Sequence, residues 1–340
     1  MAHHMTERPP LYGALDLGGT KLRALVADLE GRVYGEDIRP SHTEEGLEAV
    51  TSRMVDSLQA AARQAGADLA GLKGVGIASP GAVDVLRGVV PSAPQLPGWH
   101  DIPLRDRMAG RLELPVVLEN DATAAALGEH IFGGGRGTRH MLYLTVSTGI
   151  GGGIIIGGKV YRGASGAAGE LGHVLIDPHG PPCGCGAHGC LESFASGTAI
   201  ARLGEELLAR GESAVLAELL EREGPVTAEM MKRAADLGDV ASREAFRQAG
   251  HYLGIALASF VNIFNPEVIL IGGGVAGAGD LLLEPARTTM ETLAMSQPLK
   301  DVQVGLAGLG DRAGLLGMIA RLREVAAQER AKKPRRQGQD

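Results

Sequence analysis

The chain has 340 residues, 44% of them hydrophobic, which is enough to bury a large core and to build two lobes. A formal net charge of -7 argues against a broad phosphate-binding face for nucleic acid and leaves a small molecule as the expected partner. No stretch approaches the roughly 18 uninterrupted apolar residues of a membrane span, and MAHHMTERPP lacks the apolar core of a secretory signal, so a cytoplasmic setting is expected.

MAHHM reads as an expression-tag remnant and is set aside, His3 and His4 included. The segment LYGALDLGGTKLRALVADLEGRVYGEDI then predicts strand, turn at residues 16–20, strand, turn at Glu30 and Gly31, and strand: a β-meander. A helix is predicted over residues 44–64, with Leu47, Val50, Met54, Leu58 and Ala61 on one face. Strand LKGVGIA, turn SPGAVD and a short strand ending at Val90 follow. PVVLEN, residues 115–120, is a buried strand that leads directly into the helical DATAAALGEHIF.

At residues 141–161 the plan restarts. MLYLTVSTGIGGGIIIGGKVY again gives strand, glycine-rich turn, strand, glycine turn and strand, which suggests an internal duplication. Helices are predicted over 191–210, 227–237 and 242–264, the last with strong apolar faces and small residues suited to close packing. Strand EVILI ends in Gly272, Gly273 and Gly274. A helix over 281–293, a strand over 302–306 and an amphipathic helix over 312–325 complete the chain, and the basic stretch from Gln328 reads as a solvated end. The fold class is therefore α/β, two lobes around a hinged cleft. A smaller lobe is expected from residues 10–120 with 310–326 and a larger one from 121–309, with 1–9 and 328–340 as flexible tails.

The 51 glycines are about twice the usual share of roughly 7%, and they gather at strand ends. In DLGGTK, consecutive glycines free backbone N–H groups to line a phosphate, Asp16 could hold magnesium through water, and Thr20 offers a hydroxyl; a hairpin needing glycine only for its geometry is the alternative. The second meander turn carries Ser147 and Thr148 beside glycine, so the two turns could hold one polyphosphate between them. Asn120 and Asp121 stand where a buried strand meets a helix. Asp121 is either the helix cap or a general base that takes a proton from a hydroxyl attacking a phosphoryl group. Glu170 in GELGH and Glu192 in CLES are surface charges or carboxylates that accept the paired hydroxyls of a sugar.

All three cysteines, Cys183, Cys185 and Cys190, lie in PCGCGAHGC. Three thiols cannot pair off completely, and the glycines between them let the loop fold around a tetrahedral ion, so structural zinc is expected rather than free thiols. The fourth ligand is His173, His179 or His188. His188 would be crowded between two thiolates, whereas His173 arrives from a separate strand end and is less constrained. With His173 as ligand, the ion would fix Glu170 three residues before it and Glu192 two residues after Cys190.

DLGGTK, SPG, PGW, ENDATAAALGE, STGIGGG, the run ExGH…CGCGxxGCxE and the late GGG resemble, in order, the ROK family of repressors, open reading frames and sugar kinases, most closely its bacterial glucokinase branch. The resemblance covers residues 11–325 and implies the actin-like, ribonuclease H-like sugar kinase fold, with the final helix returning to the first lobe. It implies ATP-dependent phosphorylation of a hexose at its 6-hydroxyl, glucose above all, with N-acetylmannosamine, N-acetylglucosamine or fructose as alternatives, or non-catalytic sugar sensing. A repressor of this family carries an N-terminal helix-turn-helix domain, which is not expected here with roughly ten residues before the first strand. By position, Asp121 corresponds to the general base, and Gly81, Asn120, Glu170, His173 and Glu192 to sugar contacts. Asp16, Gly18, Gly19, Thr20, Lys21, Thr148, Gly149 and Gly273 correspond to nucleotide-binding positions. His173, Cys183, Cys185 and Cys190 correspond to zinc ligands, with magnesium arriving alongside ATP and a homodimer or homotetramer as the assembly. Two positions depart from the pattern: Gln95 stands where the branch usually has Asn, which bears on sugar choice, and the second turn begins STG where GTG is commoner.

Overall fold

The computed structural model describes residues 8–93 and 95–332, which form two compact units. The first unit runs to Gly133 and takes in residues 162–167 and the chain from Arg312 onward; the second holds the rest. Strands β1 (Tyr12–Leu17), β2 (Lys21–Ala27) and β3 (Val33–Pro40) form the expected antiparallel meander, with Leu17 opposite Leu22 across the first turn. Helix α1 (Leu47–Gln64) covers it with Val50, Met54, Leu58 and Ala61 fully buried. The helix begins three residues later than expected, because residues 43–45 form a separate 3-10 turn that ends at Gly46.

Next come β4 (Val75–Ser79), a small sheet of β5 (Ala82–Asp84), β6 (Val89–Ser92) and β7 (His100–Ile102), and then α2 (Leu104–Leu112), β8 (Val116–Asn120) and α3 (Asp121–Phe132). β4 and β8 extend the meander in parallel, giving the order β3-β2-β1-β4-β8.

In the second unit β9 (Met141–Val146), β10 (Ile150–Ile156) and β11 (Lys159–Val160) repeat the meander. The helical part comprises α4 (Leu191–Ala195), α5 (Gly197–Ala209), α6 (Ala214–Glu223), α7 (Ala228–Asp236) and α8 (Val240–Phe264). β12 (Val268–Gly272), α9 (Asp280–Leu293), α10 (Ser296–Leu299) and β13 (Gln303–Leu306) follow, and the sheet order is β11-β10-β9-β12-β13. Three antiparallel strands followed by two parallel ones occur in both units, so the duplication read from the two meanders extends to whole sheets, as the ribonuclease H-like, actin-like class requires.

The helix expected over 191–210 is two helices. Ser196 interrupts it: its hydroxyl accepts from Ala199 N at 3.1 Å and caps α5, while the amide of Gly197 donates to Ser147 O at 2.7 Å. Sequence reading also passed over α6, which Ser213 caps in the same way.

The last described element is α11 (Ala313–Lys332), which returns to the first unit. Its contact with α3 is backbone on backbone. A Cβ added at Gly317 would lie 1.7 Å from Ala124 O, and one at Gly128 would lie 2.2 Å from Ala313 O, so only glycine permits this approach. That packing keeps α3 in the first unit, where the boundary expected at 120/121 had excluded it. α11 also runs through residues 328–332, expected to be tail; of the expected tails, residues 1–7 and 333–340 lie outside the described residues. Among the described residues, no helix is long and apolar enough to cross a membrane.

Candidate active site and metal cluster

β1, β4 and β8 run parallel, with Asp16 beside Ala78 and Ser79 beside Asn120, so their carboxyl ends share one edge of the first sheet. Such edges are where open α/β sheets bind ligands. Asn120 closes β8 and caps α3, its Oδ1 accepting from Thr123 N at 3.0 Å. The cap role that the sequence allowed Asp121 thus belongs to Asn120, and Asp121 becomes the first residue of the helix. Its Oδ1 accepts from Ala122 N at 2.8 Å and from Asn120 Nδ2 at 3.1 Å, which holds the carboxylate at the positive end of the helix dipole. Asn120 Nδ2 also donates to Gly81 O at 3.1 Å. Gly81 sits at φ +78°, and a Cβ there would lie 2.6 Å from Ser92 O, so a side chain is excluded at that turn. Gly81, Asn120 and Asp121 are therefore one hydrogen-bonded group.

Asp16 lies 3.8 Å from Arg23 Nη1. A Cβ on Gly314, in the first turn of α11, would come within 3.8 Å of Asp16 Cγ and 3.9 Å of Asp121 O, so a second helix start lies beside both aspartates. The Gly18–Lys21 turn is closed by Gly18 N donating to Lys21 O at 2.9 Å. Gln95 stands against this turn, since a Cβ on Gly19 would be 3.2 Å from its Cβ.

Sequence reasoning missed one pair. Glu119 is 1% exposed, next to Asn120, and its Oε2 accepts from Arg162 Nε at 3.0 Å and Nη2 at 2.5 Å. Arg162 begins the 162–167 segment, which packs in the first unit although both its chain neighbours belong to the second. A glutamate inside the apolar strand VVLEN was the available signal, because a buried carboxylate requires a cation.

In the second unit, the turn between β9 and β10 is tied down by Ser147 N to Gly149 O at 2.9 Å and by Thr198 Oγ1 to Thr148 O at 2.8 Å. Glu192 Oε2 accepts from Ile150 N at 2.7 Å, and a Cβ on Gly149 would sit 2.4 Å from that oxygen. Gly273, at φ +88°, packs on Val146 O at the end of β9. Thr148, Gly149, Glu192 and Gly273 thus gather at adjoining strand ends.

The cysteine loop is a small hairpin: Pro182 bridges His188, and Cys183 N donates to Ala187 O at 2.8 Å. His173, Cys183, Cys185 and Cys190 place four ligand atoms within 4.8 Å of one another. This selects His173 from the three histidines left open by the sequence, while His179 and His188 stay outside the cluster. Cys185 and Cys190 sulfurs are 3.7 Å apart, and Cys183 Sγ is 3.5 Å from His173 Nδ1. A tetrahedral zinc, with bonds of roughly 2.3 Å to sulfur and roughly 2.1 Å to nitrogen, separates its ligands by about 3.8 Å (S to S) and about 3.6 Å (S to N). The four residues fit such an ion. Burial pushes the Cys190 thiol up to about 12 and also raises Cys183, whereas the Ala187 amide lowers Cys185. A divalent cation is what lets such thiols ionise together. Around the cluster, Glu170 Oε2 is 3.9 Å from His173 Nε2 and Glu192 Oε1 is 3.8 Å from Cys183 Sγ.

The ROK family model matches residues 12–325. A glucokinase of Halalkalibacterium halodurans is 36% identical over 307 residues, covering 90% of this chain and 93% of its own. A xylose repressor of Caldicellulosiruptor bescii is 34% identical over 307 residues, covering 90% of this chain and 76% of its own. The crystal structure of a ROK family glucokinase from Streptomyces griseus, in complex with glucose and AMPPNP, matches with a TM-score of 0.80 at 36% identity, covering 92% of this chain and 99% of that one.

Proposed function

Because the chain belongs to the ROK family, we propose that it is a sugar kinase that transfers the γ-phosphoryl group of ATP to the 6-hydroxyl of glucose. One observation carries this reading: a likeness to glucokinases over nearly their whole length coincides with a carboxylate, Asp121, fixed at a helix start by two donors.

Asp121 takes the proton from the 6-hydroxyl as its oxygen attacks the γ-phosphorus; the new P–O bond forms, the bond to the β-phosphate oxygen breaks, and ADP leaves. Asn120 and Gly81 keep that carboxylate in place, and the Asn120 Oδ1 retains a lone pair for a sugar hydroxyl. Glu170, Glu192 and the Nε2 edge of His173 bind further hydroxyls. The Gly18–Lys21 turn, Thr148, Gly149 and Gly273 take the nucleotide, with Asp16 directed to its magnesium. Magnesium arriving with ATP would neutralise charge on the phosphates. Zinc held by His173 Nδ1, Cys183, Cys185 and Cys190 would act as a brace without chemistry of its own, fixing the imidazole and, through the chain on either side, Glu170 and Glu192. Action in the cytoplasm, in the first step of glucose breakdown, and assembly as a homodimer or homotetramer belong to the same proposal.

A panel of sugars scored by ADP release tests the substrate. Glucose should give the highest kcat/KM; a higher value for N-acetylmannosamine, N-acetylglucosamine or fructose would reassign the sugar. Sugar-independent background release with every member of the panel would favour a non-catalytic sensor, the role suggested by the repressor relatives.

A further inference from the structure

Resting on the nucleotide assignment above and deepening it, we infer that Ser41 is a positioning residue for the phosphate-binding turn: it turns the Gly19 and Thr20 carbonyls inward so that the turn presents N–H to the nucleotide phosphates. Ser41 lies 22 residues after the DLGGTK turn, just beyond β3, and is fully buried. Its hydroxyl donates to Gly19 O at 2.8 Å, and its amide donates to Thr20 O at 3.0 Å. Thr43 Oγ1 reaches the same Gly19 carbonyl at 3.5 Å. His42, between these two residues, adopts the left-handed φ of +47°, which brings both hydroxyls to one oxygen. Arg53 then anchors the arrangement by donating from Nη1 to Ser41 O at 2.7 Å.

The consequence follows from the peptide unit. In a trans peptide the C=O and the following N–H point in opposite directions, so fixing Gly19 C=O toward Ser41 directs Thr20 N–H the other way. Glycine alone does not enforce that orientation, because its peptide rotates with little steric resistance. A rotated peptide would aim a carbonyl dipole at phosphate oxygens, which repel it. Ser41 therefore supplies the conformational restraint that the two glycines give up.

The test is titration of AMPPNP, glucose and adenosine into the full-length wild type and Ser41→Ala. Loss of one buried hydrogen bond at the turn should weaken AMPPNP roughly tenfold, while adenosine and glucose, which place no phosphate on the turn, keep their wild-type affinities. Ser41→Cys, which preserves packing with a weaker donor, should fall between the two and serves as the reading if the alanine variant does not fold. AMPPNP affinity within twofold of wild type in the variant that folds would overturn the inference and leave the kinase reading standing. So would equal weakening of all three ligands, which marks a merely structural role. Wild-type protein that binds no AMPPNP would remove the nucleotide assignment, and the inference with it.

Discussion

Replacing Asp121 with Asn is expected to lower kcat for glucose by about 10²–10⁴-fold, the usual contribution of a general base, while glucose binding stays near the wild-type value. The substitution retains size and an oxygen that can still accept from Ala122 N, so α3 and its Asn120 cap should persist. What disappears is the ability to take the proton from the attacking hydroxyl. In free-energy terms the barrier rises by about 3–5 kcal/mol. A coupled assay for ADP gives kcat, and calorimetric titration of glucose gives the ground-state affinity. Wild-type turnover in Asp121→Asn would dismiss Asp121 as the base, and loss of glucose binding in proportion to kcat would make it a binding residue instead.

Arg162→Met is expected to destabilise the protein by about 3–5 kcal/mol, because it leaves the Glu119 carboxylate buried with no guanidinium beside it. For a folding unit of this size, that loss lowers Tm on the order of 10 °C. The double variant Glu119→Leu with Arg162→Met removes both charges and should regain most of the loss, since an apolar pair replaces a buried ion pair at little net cost. Thermal unfolding of the two variants and the parent decides the matter. A single variant as stable as the parent would show that Glu119 finds other compensation. Glu119 directly precedes Asn120 and Asp121 in the chain, so the single variant should lose kcat along with stability.

The meanders were legible because glycine turns separate strands whose apolar residues recur at strand spacing, and both units show them where the sequence placed them. Their repetition as whole sheets was not legible to the same degree. The pairing of β9 with β12 joins residues more than a hundred positions apart, and no local pattern encodes which distant strand is adopted. Capping was ambiguous by one residue, since Asn and Asp serve equally at a helix start and only the 3.0 Å bond to Thr123 N assigns the cap to Asn120. The helix break at Ser196 depends on a bond to Ser147, again distant in sequence. The cysteine loop marked a candidate ligand cluster through its spacing, but three histidines satisfied the same chemistry, and only the placement of the short turn around Leu171–His173 brings one of them, His173, to the three sulfurs. Arg162 was invisible because its partner is chosen by a chain excursion that no periodicity announces.

In the proposed mechanism the cysteines hold the sugar-binding carboxylates of Glu170 and Glu192 in place through a bound ion. Metal analysis of freshly purified protein, paired with glucose and AMPPNP titrations before and after Cys185→Ser, tests this most directly. One zinc per chain is predicted in the parent and none in the variant, with glucose affinity falling roughly 10–100-fold and AMPPNP affinity unchanged. A parent protein that carries no zinc yet binds glucose as tightly as the zinc-loaded form would contradict the account.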